Sequence, residues 1–256
     1  METGMNITIA IQCAHFQRRL CWMLSSLLQQ SRPHTIVVDI AGPVDEGGDS
    51  PTNLEVASLF RGPLDIRTSM FADKAEFQAR GLVRNRQIQE CTTEWMLFGD
   101  CDMVYHPLYF ESLLDTLKTL HPNATYMVSA GRTSNPKDLT NAMVDAEIPF
   151  PKIVENAFEK ADKLPKKSMR NCGAGHSQII NMRHAPHKGY YVTPAENRDW
   201  DWEKGGSNPK SDMQFRRRIE QDGGKRQKLC QWFADNAIHL NHNRDPEVGK
   251  HTEEQR

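Results

Sequence analysis

Three short apolar runs, separated by segments of helical periodicity, constrain this chain more than any other feature. Asn6 to Cys13 (NITIAIQC) alternates small and β-branched residues, His34 to Ile40 (HTIVVDI) is continuously apolar until Ala-Gly-Pro, and Trp95 to Gly99 (WMLFG) runs straight into Asp100. Such runs read as strands, and unbroken ones as strands covered on both faces, the situation of a parallel sheet. Between the first two, Leu20, Met23, Leu24, Leu27 and Leu28 recur at helical spacing within Arg19 to Gln30. Strand, helix, strand is a βαβ unit, and its continuation predicts a doubly wound α/β sheet whose ligands lie outside the carboxyl ends of the strands. Leu64 to Ser69 predicts a third strand, Asp73 to Cys91 and Leu108 to Leu120 helices, Thr125 to Ala130 a strand, and Asp212 to Gln221 a helix closed by Gly223-Gly224. Pro43 to Pro51 and the proline-rich stretch from Arg132 to Gly175 read as loops, the second long enough for a substrate lid.

Composition narrows the function. The 256 residues suffice for a core without disulfide or metal staples, and 32 Lys+Arg against 33 Asp+Glu lack the basic excess of a dedicated nucleic-acid binder. The apolar stretch Leu20 to Leu28 is too short to span a bilayer of roughly 30 Å. Met1-Glu-Thr-Gly-Met leads directly into the first strand rather than into a signal peptide, so the chain is expected to begin near Met1. Six cysteines without zinc-type spacing predict reduced thiols and a cytoplasmic protein.

The residues that could carry chemistry gather at predicted strand ends. Asp100-Cys101-Asp102 places two carboxylates where both can address one hard cation, Mn²⁺ or Mg²⁺; a solvated turn is the competing account. His239-Leu-Asn-His242 could complete that metal shell, although with ten histidines in the chain a surface or core role competes. Asp212 opens a helix after a Gly-rich segment and is a candidate general base, or a plain N-cap. Trp200-Asp-Trp202-Glu203 combines indole faces with carboxylates, which suits a sugar acceptor as well as it suits core packing. Arg216-Arg-Arg218 reads as a solvated helix face.

The order of these pieces resembles a GT-A glycosyltransferase, most closely of family 2: Ile7 to Gln30, Val38-Asp39, Gly81-Leu-Val-Arg84-Asn85, Trp95 to Asp102 followed by Pro107, and Ser211-Asp212 before an Arg-rich helix. The resemblance implies a Rossmann-like mixed sheet flanked by helices in a single domain over residues 1–256, with a nucleotide-sugar half (about 1–107) and an acceptor half (about 108–256). It implies that Asp39 recognises the uracil of a UDP-sugar, that Arg84 lies beneath the nucleotide, that Asp100 and Asp102 hold the diphosphate through a divalent cation, and that Asp212 is the base. Ala14, His15, Arg18 and Cys101 join the expected nucleotide site. His15-Phe-Gln-Arg18-Arg19 and His239-Leu-Asn-His242-Asn-Arg-Asp245 are also similar to segments of the β-1,4-galactosyltransferases, whose C-terminal histidine binds manganese, and Asp-Cys-Asp-Met resembles the motif of chondroitin polymerases.

The expected reaction is an in-line, inverting transfer from a nucleotide sugar to an acceptor hydroxyl. Asp102, His242 and His239 would bind the cation that meets the charge on the leaving diphosphate. Asp212, with Glu203 in reserve, would take the hydroxyl proton, and Trp200 and Trp202 would face the acceptor, whether saccharide, lipid, protein or modified nucleobase. Two alternatives stand beside it: a metal-dependent phosphotransferase or nuclease, and a catalytically silent nucleotide-sugar-binding module.

Overall fold

The structure is a computed structural model and describes residues 5–14, 16–44, 52–72, 76–77, 79–120, 124–128, 133–134, 178–183, 189–190 and 211–240. In chain order its elements are β1 (Ile7–Gln12), α1 (Gln17–Leu28), β2 (Ile36–Pro43), α2 (Asn53–Phe60), β3 (Asp65–Phe71), α3 (Arg80–Glu90), β4 (Trp95–Asp100), β5 (Met103–Tyr105) and α4 (Tyr109–Thr119). There follow β6 (Ala124–Val128), β7 (Thr133–Ser134), β8 (Gln178–Asn181), α5 (Ser211–Gln221), β9 (Lys225–Lys228), α6 (Gln231–Asp235) and β10 (Ala237–His239). Seven strands form one sheet in the order β3-β2-β1-β4-β8-β6-β9, and β5, β10 and β7 form a second. The β1, β2, β3 and β4 pairings are parallel, whereas β8 runs antiparallel to both β4 and β6.

The expected α/β architecture is present, and its cause is visible residue by residue. Ile7, Ile9 and Ile11 of β1 and Ile36, Val38 and Ile40 of β2 are fully buried beneath the stripe that periodicity predicted on α1, where Leu20, Met23, Leu24 and Leu27 are all at 0% exposure. Each such side chain contributes about 1.5–3 kcal/mol of transfer free energy. The opposite face of β4 packs Met96 and Phe98 against Ile180, Tyr190, Phe215 and Ile219. Helix α5 stops where expected: Gly223 takes φ +86°, a region other residues rarely adopt, and the Gly224 N–H returns to the Ile219 carbonyl at 2.8 Å.

Three differences from expectation concern position. Helix α2 falls just past the loop expected over Pro43 to Pro51, opened by a capping box in which Thr52 Oγ1 accepts from the Glu55 N–H while Glu55 accepts from the Thr52 N–H. The helix expected from Asp73 is, in its described continuous part, α3 from Arg80. Strand β2 continues through Ala-Gly-Pro to Pro43, paired with β3 as far as Pro43 opposite Phe71. Among the described residues no helix is long and apolar enough to cross a membrane. Apart from Thr133 and Ser134, the expected lid over Arg132 to Gly175 lies outside the described residues.

Candidate active site

Strands β1 and β4 lie side by side and finish together, Gln12 opposite Asp100. Beyond their carboxyl ends lies a cleft of about 330 Å³. Gln12, Ala14 and Phe16 line it from the β1–α1 turn, Phe77 and Arg80 from the start of α3, and Asp100, Cys101 and Asp102 from the β4–β5 turn. Phe16 immediately precedes α1 and Arg80 begins α3, so two helix N-termini border the cleft. Helix N-termini and an arginine favour anions, and the paired carboxylates opposite them favour a cation. A nucleoside diphosphate bound with a divalent metal satisfies both demands.

Close packing fixes the acidic segment. A Cβ on Gly99 would stand 3.3 Å from Ile9 Cγ2 and 3.5 Å from Tyr105 Oη, so glycine lets β4 approach its neighbours just before Asp100. Burial, with Tyr109 and the two aspartates nearby, pushes the Tyr105 phenol far up and keeps it neutral. The adjoining Cys13 thiol, then burial and the aspartates, raise the Cys101 thiol likewise.

Strand β10 carries the C-terminal part of the chain to this turn. It pairs antiparallel with β5, His239 opposite Met103, and the Leu240 N–H donates to the Asp102 carbonyl at 2.8 Å. His239 Nε2 consequently lies 3.1 Å from Asp102 Oδ2, both residues being 8% exposed. A carboxylate oxygen beside an imidazole nitrogen suits Mn²⁺ better than Mg²⁺, which prefers oxygen ligands, and Mg²⁺-type sites usually complete their shells with water and substrate phosphates. The pair therefore fits part of a metal shell, although no group of three or more metal-ligating side chains forms among the described residues.

Of the other expected site residues, Ala14, Asp100 and Cys101 line the cleft with Asp102, whereas Asp39 and Arg84 do not. The strand-end position expected for Asp39 is corrected: it is the fourth residue of the eight-residue β2, flanked by Ala10 and Arg67, and is 4% exposed. Gln87 of α3 covers it, with Nε2 donating to the carbonyls of Asp39 at 3.1 Å and Ile11 at 3.2 Å. Burial pushes the Asp39 carboxyl up to about 6, a side-chain hydrogen bond from Gln87 offsetting part of the effect. Arg84 is 3% exposed and turns into the second core cluster, Nη1 donating to Tyr190 Oη at 2.6 Å. Its guanidinium lies 4.9 Å from the Phe98 ring centre and 5.2 Å from that of Tyr190, which stacks on Phe215 at 4.1 Å. It thus ties α3 to β4 and α5. Arg18 falls in the first turn of α1 and Asp212 in the first turn of α5, while His15, Trp200, Trp202, Glu203 and His242 lie outside the described residues.

Sequence reasoning missed Gln12, Phe16, Phe77 and Arg80. Gln12 carried a usable signal, a polar residue ending an apolar strand. Phe77 and Arg80 carried none, because the end of α3 that meets the sheet edge follows from strand order.

No protein-family model and no curated protein matches the sequence. Solved structures do. S. aureus TarS superposes with a TM-score of 0.61 at 12% identity, over 97% of this chain and 38% of that one. TarS 1-349 in complex with UDP-GlcNAc gives 0.60 at 13% identity, over 93% of this chain and 59% of that one. The mannosyltransferase PcManGT from Pyrobaculum calidifontis, in complex with GDP-Man and Mn²⁺, gives 0.58 at 10% identity, over 94% and 58%. The chain shares the fold of these proteins. It spans less than two thirds of their lengths. The mainly parallel sheet flanked by helices, expected from the order of the apolar runs, is thus the one these solved structures share.

Proposed function

We propose that this chain is a metal-dependent glycosyltransferase that holds a nucleoside-diphosphate sugar in the β1–β4 cleft and transfers the sugar, with inversion, to an acceptor hydroxyl. The observation that carries the reading is the convergence of Asp100 and Asp102 with Arg80 and two helix N-termini on one cleft, with His239 brought to Asp102 by β10. The fold shared with a mannosyltransferase bound to GDP-Man and Mn²⁺, and with TarS bound to UDP-GlcNAc, supports it. UDP is the nucleotide the sequence resemblance favours.

In this reading Asp102 and His239, with His242, hold Mn²⁺ or Mg²⁺, which supplies positive charge opposite the leaving diphosphate. Arg80 and the amide ends of α1 and α3 meet the remaining negative charge in a site where the Asp102 carboxylate is already largely withdrawn from water. Phe16 and Phe77 offer flat apolar faces to the base or the sugar ring. The acceptor hydroxyl loses its proton to Asp212, or to Glu203, while Trp200 and Trp202 contact the acceptor.

The test is calorimetric titration of UDP- and GDP-sugars with and without Mn²⁺, followed by NMR of the product. Donor binding that requires Mn²⁺ and is lost in Asp102→Asn, with an inverted product, is expected. Asp212→Asn should retain donor binding while turnover falls roughly 10²-fold or more. Binding without release of nucleotide under any acceptor would leave a silent binding module, and a product of retained configuration would discard the single displacement.

A further inference from the structure

Two cysteines follow the paired ends of β1 and β4: Cys101 lines the cleft and Cys13 lies buried behind its lining. The parallel β1–β4 ladder runs from Ile7 opposite Trp95 to Gln12 opposite Asp100, so the next residues on each strand are Cys13 and Cys101. Adjacent strands lie ~4.8 Å apart. Disulfides span Cα separations of ~4.4–6.8 Å. Both side chains belong to the same buried cluster, and the nearby Cys13 thiol is the first cause of the raised Cys101 thiol. Cys101, 7% exposed, lines the cleft, whereas Cys13 behind it is 1% exposed. A small oxidant entering the cleft therefore reaches Cys101 first, with Cys13 placed to resolve the product.

We propose that Cys13 and Cys101 form a reversible disulfide that disables the Asp100–Asp102 segment when the protein meets a hydroperoxide. The consequence for sugar-donor binding rests on the function proposed above; the bond itself does not. The Cys101 sulfur, on losing its proton, attacks the peroxide, the O–O bond breaks, and the leaving alkoxide takes up that proton. The resulting sulfenic acid is attacked by Cys13, which expels hydroxide that leaves with the Cys13 proton as water. Two thiols and one hydroperoxide thus give one disulfide, one alcohol and one water. Burial makes the step slow, so the pair answers to sustained oxidant.

Cys13 is pinned at both backbone groups: its N–H donates to the Ala41 carbonyl at 2.9 Å, and its carbonyl accepts from Asn53 Nδ2 at 2.7 Å. An S–S bond of ~2.05 Å is far shorter than any non-bonded sulfur contact. Cys101 stands between Asp100 and Asp102, so drawing its sulfur to bonding distance of the anchored Cys13 acts directly beside both carboxylates. Displacements near 1 Å at a reacting centre cost up to about 10²-fold in rate.

The intact chain is exposed to hydrogen peroxide for a prolonged period, alkylated without reduction and mapped by mass spectrometry, and UDP with Mn²⁺ is titrated before oxidation, after it, and after dithiothreitol. The expected result is a Cys13–Cys101 linked peptide that dithiothreitol removes, with affinity for UDP and Mn²⁺ at least about tenfold weaker while the link persists. Cys13→Ala should show neither the link nor the reversible loss; the wild-type map decides the matter even if that variant folds poorly. A map in which Cys101 is alkylated, over-oxidised or joined elsewhere overturns the proposal, as does a formed link that leaves UDP and Mn²⁺ affinity unchanged. Reduced protein that binds no nucleotide overturns the proposed function instead, and the linked peptide still reports on the thiol pair.

Discussion

Asp39 permits a test of buried-charge physics in this fold independent of any substrate. Its carboxyl is 4% exposed within β2, Oδ1 has no hydrogen-bond partner, and Oε1 of the covering Gln87 is likewise buried without one. Burial raises the carboxyl from 3.8 to about 6, so the folded state binds its proton more tightly than the unfolded chain does. The stabilising contribution is therefore complete below the unfolded value and is lost as pH rises through about 6. A shift of ~2 units corresponds to about 3 kcal/mol. Asp39→Asn keeps the shape, removes the charge and offers Gln87 Oε1 a donor. Urea denaturation of both proteins between about pH 4 and about pH 8 measures the difference, with other titrating groups cancelling in the comparison. The variant should gain on the wild type by about 3 kcal/mol across that range, nearly all of it between about pH 4 and about pH 7. A difference that stays flat with pH would falsify the argument that Asp39 is charged and poorly compensated at neutral pH.

Three further outcomes follow from named contacts. Tyr190→Phe removes the hydroxyl that accepts from Arg84 Nη1 at 2.6 Å and donates to Gln178 Oε1 at 3.3 Å. It should cost about 1.5–3 kcal/mol in chemical denaturation, as for a buried hydrogen bond to a charged group. Asn53→Ala frees the buried Cys13 carbonyl and should cost about 1–3 kcal/mol, with faster amide exchange in the β1–α1 turn as its local signature. His239→Ala should raise the Mn²⁺ concentration needed for donor binding about tenfold or more, measured by titration with the nucleotide held constant.

The regions legible from sequence were those where burial alone dictates structure. The apolar runs of β1, β2 and β4 and the Leu20-Met23-Leu24-Leu27 stripe could satisfy their hydrophobic faces in few other ways, and they appear close to the expected bounds. Helix α2 was legible in principle, since Thr52 and Glu55 are the spaced pair of a capping box, but the Gly-rich residues before it masked the signal. Strands β5 and β10 were not legible: each is three residues long and exists because the other is present. His239 nevertheless lies beside Asp102, a proximity that required only that the chain return to the sheet edge. Asp39 and Arg84 were misjudged in position for one shared reason. A polar residue in an apolar run reads as a strand end, and an arginine in the helix beside the sheet reads as facing a ligand, until a partner such as Gln87 or Tyr190 accommodates it inside. The neighbouring positions of Cys13 and Cys101 depend on β4 pairing with β1, a matter of strand order that no local pattern announces.

The return of β10 to β5 has a consequence for how the protein comes into being. A chain leaves the ribosome from its N-terminus at about 5–20 residues per second. Asp100 and Asp102 emerge and can settle beside β1 long before His239 exists, and the Asp102 carbonyl receives its hydrogen bond from Leu240 only when that residue is out. Until then the acidic turn lacks His239 and β5 lacks its β10 neighbour. The nascent polypeptide can hold the parallel sheet before His239 reaches Asp102, so a ribosome stalled short of β10 would leave a formed sheet whose acidic turn is unfinished.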